Sequence, residues 1–245
     1  DHPDVATDLN NLANLLQAQG KYDEAKPLFE RAIAIGEKTL GPEHLAVATR
    51  LNNLAALFKT QGDYNGAKPL YDRAVAISEK AIGPEHPHVA RGLNNLAGLL
   101  RAQGKKDEAK PLYERAVAID EKTLGREHPA LATPLNNLAD LLQDQGKYDC
   151  AKPLFERVVQ IFEKARGPQH PDLATALNNL AELLRTQRTY DEAEPLYYRS
   201  LTIREKALGP EHPDVAQSLN NLARLLQDQG KYEEAKPLYD RAIVV

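Results

Sequence analysis

A histidine returns every 42 residues along this chain, at His2, His44, His86, His128, His170 and His212. The pair Asn10-Asn11 returns in the same register as Asn52-Asn53, Asn94-Asn95, Asn136-Asn137, Asn178-Asn179 and Asn220-Asn221. Pro27 likewise becomes Pro69, Pro111, Pro153, Pro195 and Pro237. Self-similarity at a fixed period means that each copy is one supersecondary unit too small to bury its own apolar face, so neighbouring copies must stack. No linker or shift in composition separates the copies. The expectation is one continuous array over residues 1–245, with copies near 2–43, 44–85, 86–127, 128–169, 170–211 and 212–245, the last incomplete. The chain opens in mid-pattern at Asp1-His2-Pro3 and stops partway through a copy at Ile243-Val244-Val245, which reads as a piece of a longer protein.

Within one copy, Val5, Leu9, Leu12, Ala13 and Leu16 lie at helical spacing and form one apolar stripe. Gly20 supplies a turn, and Ala25, Leu28, Phe29, Ala32, Ile33 and Leu40 form a second stripe. Asp23 and Glu24 place negative charge where a helix N-terminus favours it. Pro27 falls about one turn in, where it costs little or bends the helix slightly. Gly41-Pro42 stops the second helix, because glycine takes a left-handed cap conformation and proline cannot continue the helix. Each copy is therefore two antiparallel helices of roughly 17 residues, about 25 Å long. Small residues at Ala13, Ala25 and Ala32 let the helices approach closely; Val158 and Ser200 stand at the Ala32 position in two later copies.

Leu12-Ala13, Leu16, Gly20, Tyr22, Ala25, Phe29, Ala32 and Pro42 resemble the tetratricopeptide repeat (TPR) signature. The phrase Leu-Asn-Asn-Leu-Ala, followed by Gln-Gly-Lys-Tyr-Asp-Glu-Ala-Lys-Pro-Leu, is similar to the longer repeat of kinesin light chains. The resemblance covers essentially the whole chain. It implies an all-α, right-handed superhelical solenoid of helix–turn–helix repeats whose first helices line a concave surface. Three local departures stand out. Tyr22 becomes Lys106 in the third copy, which removes an aromatic plug. Gly20 becomes Arg188 in the fifth, where a left-handed turn suits arginine poorly. Pro134 lies near the start of a first helix, which it is expected to shorten or bend.

Catalysis has little to stand on. No nucleophile elbow, zinc-protease helix, phosphate loop or dinucleotide glycine pattern is present, so no enzyme, catalytic residue or cofactor is expected. The six periodic histidines cannot share a metal, because ligands must converge within about 2 Å of one point, whereas repeats lie roughly a helix diameter of 10 Å apart. Each is expected to help cap the helix that follows, and His88, present in one copy only, carries no meaning by itself. Cys150, the one cysteine, replaces the acidic residue of Glu24 in a single copy and reads as a surface replacement rather than a reactive thiol. It permits no intrachain disulfide, which agrees with a cytoplasmic location. A net charge of −4 gives no general attraction to nucleic acid or anionic lipid, and no apolar run is long enough to cross a bilayer.

Binding remains. A step of 100° per residue turns Thr7, Asn10, Asn11, Asn14, Gln17 and Ala18 away from the buried stripe of the first helix. An amide offers a donor and an acceptor together, so a ladder of Asn11, Asn53, Asn95, Asn137, Asn179 and Asn221, with Asn10, Asn52 and Asn94 beside it, can pair with a peptide backbone. The same residues can instead bond adjacent first helices to each other, or the two members of each pair can divide the roles. Unrepeated charges share this face: Lys59, Arg91 and Arg101 form a cationic stretch, followed by Asp140 and Asp144, then Glu182 with Arg185 and Arg224 with Asp228. Kinesin light chains bind cargo peptides carrying acidic residues, so the resemblance implies an acidic peptide or protein segment as partner. The alternative is a structural or oligomerisation module of a larger signalling protein. An uncovered apolar side at Leu238, Ala242 and Ile243 then implies end-to-end association with another copy.

Overall fold

The computed structural model describes residues 2–244, so the sequence ends at Asp1 and Val245 lie outside the described residues. The chain is all helical, with no strand among the described residues: α1 (Pro3–Ala18), α2 (Tyr22–Leu40), α3 (Leu45–Thr60), α4 (Tyr64–Ile82), α5 (Pro87–Ala102), α6 (Lys106–Leu124), α7 (Ala132–Asp144), α8 (Tyr148–Arg166), α9 (Pro171–Thr186), α10 (Tyr190–Leu208), α11 (Pro213–Asp228) and α12 (Tyr232–Val244). The helices pack into two compact units, one ending at Arg126 and the other beginning at Glu127. In each unit every helix packs on the one before it and the one after it. First helices of successive copies also touch, α1 on α3 and α3 on α5 in the first unit, α9 on α11 in the second.

The sequence punctuation explains these boundaries. Each periodic histidine is an N-cap: its Nδ1 accepts the backbone N–H two residues on, from Asp4 (3.3 Å), Ala46 (3.1 Å), His88 (3.1 Å), Ala130 (3.2 Å), Asp172 (3.1 Å) and Asp214 (3.2 Å). That satisfies one N–H which the helix leaves without an internal partner. Pro134 has the consequence expected of it. Lacking an N–H, it cannot bond the carbonyl of Ala130, and the segment Pro129–Leu131 winds as a 3₁₀ turn ahead of a 13-residue α7. The other first helices have 16 residues.

The turn inside each copy needs a positive φ. Glycine supplies it in five copies, and Arg188 adopts it at +62° in the fifth. A side chain there costs roughly 1–2 kcal/mol through its Cβ, partly offset in glycine by chain entropy. Arg188→Gly should therefore stabilise the protein by about 1 kcal/mol and raise the melting temperature by a few degrees. An unchanged or lower midpoint in thermal denaturation would contradict this account.

The core shows why copies must stack. The leucine column Leu57, Leu99, Leu141, Leu183 and Leu225 is fully buried, whereas its first member, Leu15, is 56% exposed. Leu54 and its later equivalents are buried, yet Leu12, expected in the buried stripe, is 46% exposed. The correction has a simple cause: among the described residues no preceding copy packs on that side of α1. Helix α12 presents the opposite edge, with Ile243 exposed and Leu238 and Ala242 half-buried.

Candidate functional site

Three bonds between asparagines of successive copies join the first helices, and Asn10, expected to turn away from the buried stripe, is itself buried. Asn53 Nδ2 donates to Asn10 Oδ1 at 3.0 Å, Asn95 Nδ2 to Asn52 Oδ1 at 2.9 Å, and Asn221 Nδ2 to Asn178 Oδ1 at 2.8 Å. In these three the second amide of one copy donates to the first amide of the copy before. Register breaks at one step, where Asn136 Oδ1 is buried without a partner although Asn179 is the residue in line for it. Each of these three bonds uses one group of each amide. The Oδ1 atoms of Asn53 and Asn95 and the NH2 group of Asn52 are not consumed by them. Asn11 is exposed, and Asn94, Asn137 and Asn179 are half-buried on their helices.

Two cavities open on this face in the first unit, and they share Asn53. One, of about 360 Å³, is lined by Asn14, Gln17, Tyr22, Asn53 and Thr60 with two alanines. The other, of about 100 Å³, is lined by Thr49, Asn52, Asn53, Ser78, His88 and Arg91 together with Ala48, Ala74 and Gly92. Of the three expected cations, Arg91 is exposed at this second cavity. Lys59 is half-buried and lies across Gly98, where a Cβ would meet its Nζ at 3.0 Å and Tyr113 Oη at 3.3 Å. Burial, and secondarily Arg101, push the Lys59 ammonium below its usual range. Arg101 is half-buried one copy further on.

In the second unit Glu182, Arg185 and Asp228 on this face engage one another. Arg185 grips Glu182 with two nitrogens, Nε at 3.0 Å and Nη2 at 2.6 Å, and its third nitrogen reaches Asp228. Tyr197 donates its hydroxyl to Glu182 at 2.7 Å. Burial and the Glu182 carboxylate push the Tyr197 hydroxyl up. The hydrogen bonds from Arg185 and Tyr197 more than offset burial and hold Glu182 below the ordinary carboxylate range. A carboxylate so engaged has little left for a ligand.

Two features escaped a reading of single positions. One is a ladder of ion pairs between successive second helices: Arg73 with Glu37 at 2.6 Å, Arg115 with Glu79 at 2.7 Å and Arg241 with Glu205 at 2.6 Å, with Arg199 and Glu163 in the same register. Its signal was an opposite-charge spacing of six residues less than the repeat. The other is His88, whose ring lies 3.3 Å from both Ser78 Oγ and Thr49 Oγ1 in the smaller cavity. Among the described residues no group of three potential metal ligands exists, and no helix is long and apolar enough to cross a membrane. Cys150 is exposed and free.

The family model for the tetratricopeptide repeat matches residues 4–80, 51–122, 88–164, 130–189 and 172–243, so its overlapping copies span nearly all of the chain. The chain belongs to the tetratricopeptide repeat family. Solved TPR structures agree. A Podosopora anserina protein described as a kinesin light chain with nearly identical TPR-like repeats is 32% identical, with a TM-score of 0.73 over 85% of this chain and 99% of that one. BtubC (BKLC) from P. vanneervenii is 26% identical, with a TM-score of 0.75 over 87% of this chain and 85% of that one. PilF of Pseudomonas aeruginosa shares the fold at 22% identity, with a TM-score of 0.66. No curated protein matches the chain by sequence. The fold class is thus the all-α TPR solenoid, of the kinesin light chain-like kind expected from its residues, and TPR folds generally serve as non-catalytic modules for protein interaction.

Proposed function

We propose that the first-helix face of α1, α3 and α5 binds an extended peptide segment of another protein, along the surface that TPR solenoids curve inward. The carrying observation is Asn53, which lines both cavities of that face while its Oδ1 stays outside the inter-copy bond. An amide acceptor fixed by a bond to Asn10 is pre-organised to take a peptide N–H, and Asn95 repeats the arrangement one copy on. Neighbouring cations favour an acidic segment, and the setting is a reducing one such as the cytoplasm, where Cys150 stays a thiol.

The same bonds support a second reading, in which the amides only hold the stack and the chain serves as a scaffold. Val5, Leu12 and Leu15 on α1 and Ile243 on α12 are exposed apolar side chains that a second copy could cover end to end. One experiment separates the readings. Asn53→Ala with Asn95→Ala removes two inter-copy hydrogen bonds, so the double variant should lose about 1–3 kcal/mol of stability in any case. If the face binds peptide, affinity for neutral and acidic peptides, selected on the wild-type protein from a displayed library, should also fall together in fluorescence anisotropy. Stability loss with unchanged affinity, and a mass that grows with concentration in light scattering, would leave the scaffold standing instead.

A further inference from the structure

The fourth copy departs from the others around one open cavity of about 660 Å³, which lies within the second unit. Pro134 stands where other copies carry Asp8, Arg50, Gly92, Ala176 and Ser218. The 3₁₀ turn that it produces contributes Pro129 and Ala130 to one wall. Phe162 stands where Gly36, Ser78, Asp120 and Arg204 stand, and its half-buried ring packs against Leu173, Ala174 and Leu177. Arg166, in the last turn of α8, replaces an apolar residue, for its equivalents are Leu40, Ile82, Leu124 and Leu208. A side chain that rests on its apolar neighbours is thus exchanged for one that carries a charge out to water. The volume falls within the range of roughly 300–1,000 Å³ common among small-molecule sites.

The lining states what chemistry would fill that space. Pro129, Phe162 and three alanines make its apolar part. The rim carries one charge of each sign, side by side: Arg166 Nε lies 3.9 Å from Asp172 Oδ2. That is close enough to attract and too long for a hydrogen bond. His170 Nδ1 lies 3.5 Å from the same carboxylate oxygen. This nitrogen already accepts the Asp172 N–H at 3.1 Å, so it holds a lone pair there and offers the carboxylate no proton. Guanidinium and carboxylate, each about half-exposed, therefore keep hydrogen-bonding capacity for something else. A complementary ligand has a large apolar group and, next to each other, an anionic and a cationic group. In an α-amino acid the ammonium and the carboxylate are joined to one carbon. Laid antiparallel to the rim, they meet Asp172 and the planar fork of Arg166 together.

We propose that this cavity binds a free α-amino acid with an aromatic side chain, its carboxylate on Arg166, its ammonium on Asp172 and its ring against Phe162. The site uses no residue of the peptide face proposed above, and the two readings stand or fall separately.

The probe is L-phenylalanine, titrated calorimetrically into the 245-residue protein, with saturation-transfer NMR as a second readout. A ligand of roughly a dozen heavy atoms should bind with a dissociation constant of about 1 mM. Phenylpropionate, which lacks the ammonium, and phenethylamine, which lacks the carboxylate, should each bind about tenfold or more weakly. Arg166→Leu installs the residue that three other copies carry, so it should abolish binding with helicity and melting temperature retained. Asp172→Asn should weaken phenylalanine about tenfold and leave phenylpropionate unchanged, a split that general damage to the fold would not produce. Absence of phenylalanine binding, equal binding of either analogue, or full affinity in Arg166→Leu would each overturn the proposal.

Discussion

Gly83→Ala should cost roughly 3 kcal/mol, about three times the cost of Gly62→Ala, although both glycines sit in short turns and no atom crowds either of them. The difference lies in the backbone. Gly62 has φ +79° in the ordinary left-handed turn that follows a first helix, a region into which Arg188 is forced in the fifth copy. Gly83 closes α4 with φ 86° and ψ 153°, and Gly41 (95°, 153°), Gly125 (88°, 154°), Gly167 (88°, 167°) and Gly209 (88°, 157°) close their helices in the same way. That combination of positive φ with extended ψ is essentially closed to residues bearing a Cβ. The left-handed cap expected from sequence is therefore replaced by a more extended one, which swings the chain straight into the histidine cap of the next helix. Strain at this point should be felt by both copies it joins. Thermal and urea denaturation of the two variants side by side would check the ranking. Equal losses, or a larger loss for Gly62→Ala, would show that the extended cap is not what makes glycine necessary.

Reversing Lys59 and Arg91 together to glutamate should weaken an acidic library-selected peptide by roughly ten- to a hundredfold and leave a neutral one within a factor of about two. Partly exposed ion pairs contribute only about 0.2–1 kcal/mol each, but reversal both removes the attraction and adds a repulsion of similar size. The half-buried Lys59, already pushed below its usual range by burial, is the less screened of the two. The affinity that remains should depend less on salt, because the long-range attraction is gone. Anisotropy titrations at low and high salt would read both effects. Equal weakening of the neutral peptide would mean that the variant had damaged the face rather than its electrostatics. Stability should change little, since neither side chain forms an ion pair within the first unit. Arg185 offers the contrast: it is locked between Glu182 and Asp228, and its loss would strand a half-buried carboxylate.

Local grammar was legible because its causes are local. A histidine two residues before an N–H it can accept, a glycine where the chain needs positive φ, and a proline without an N–H at position 134 act within one turn of the backbone. The sequence therefore determined the repeat, the helix pairs, the histidine caps and the shortened start of α7. What it left open depends on atoms far apart in the chain. Leu12 and Leu54 belong to the same five-residue phrase, yet one is 46% exposed and the other 5%, because burial is decided by the neighbouring copy. The two roles offered for the asparagines could not be separated from spacing. Only stacking showed that Asn53 reaches Asn10 across 43 residues of chain while keeping its carbonyl oxygen in reserve. His88 meant nothing alone and acquired a setting only when Ser78, ten residues before it, and Thr49, thirty-nine before it, were brought to either side of its ring. A periodic sequence repeats its local instructions in every copy. Tertiary packing compares the copies with one another, and differences between them, such as Arg166 where other copies carry leucine or isoleucine, become cavities only there.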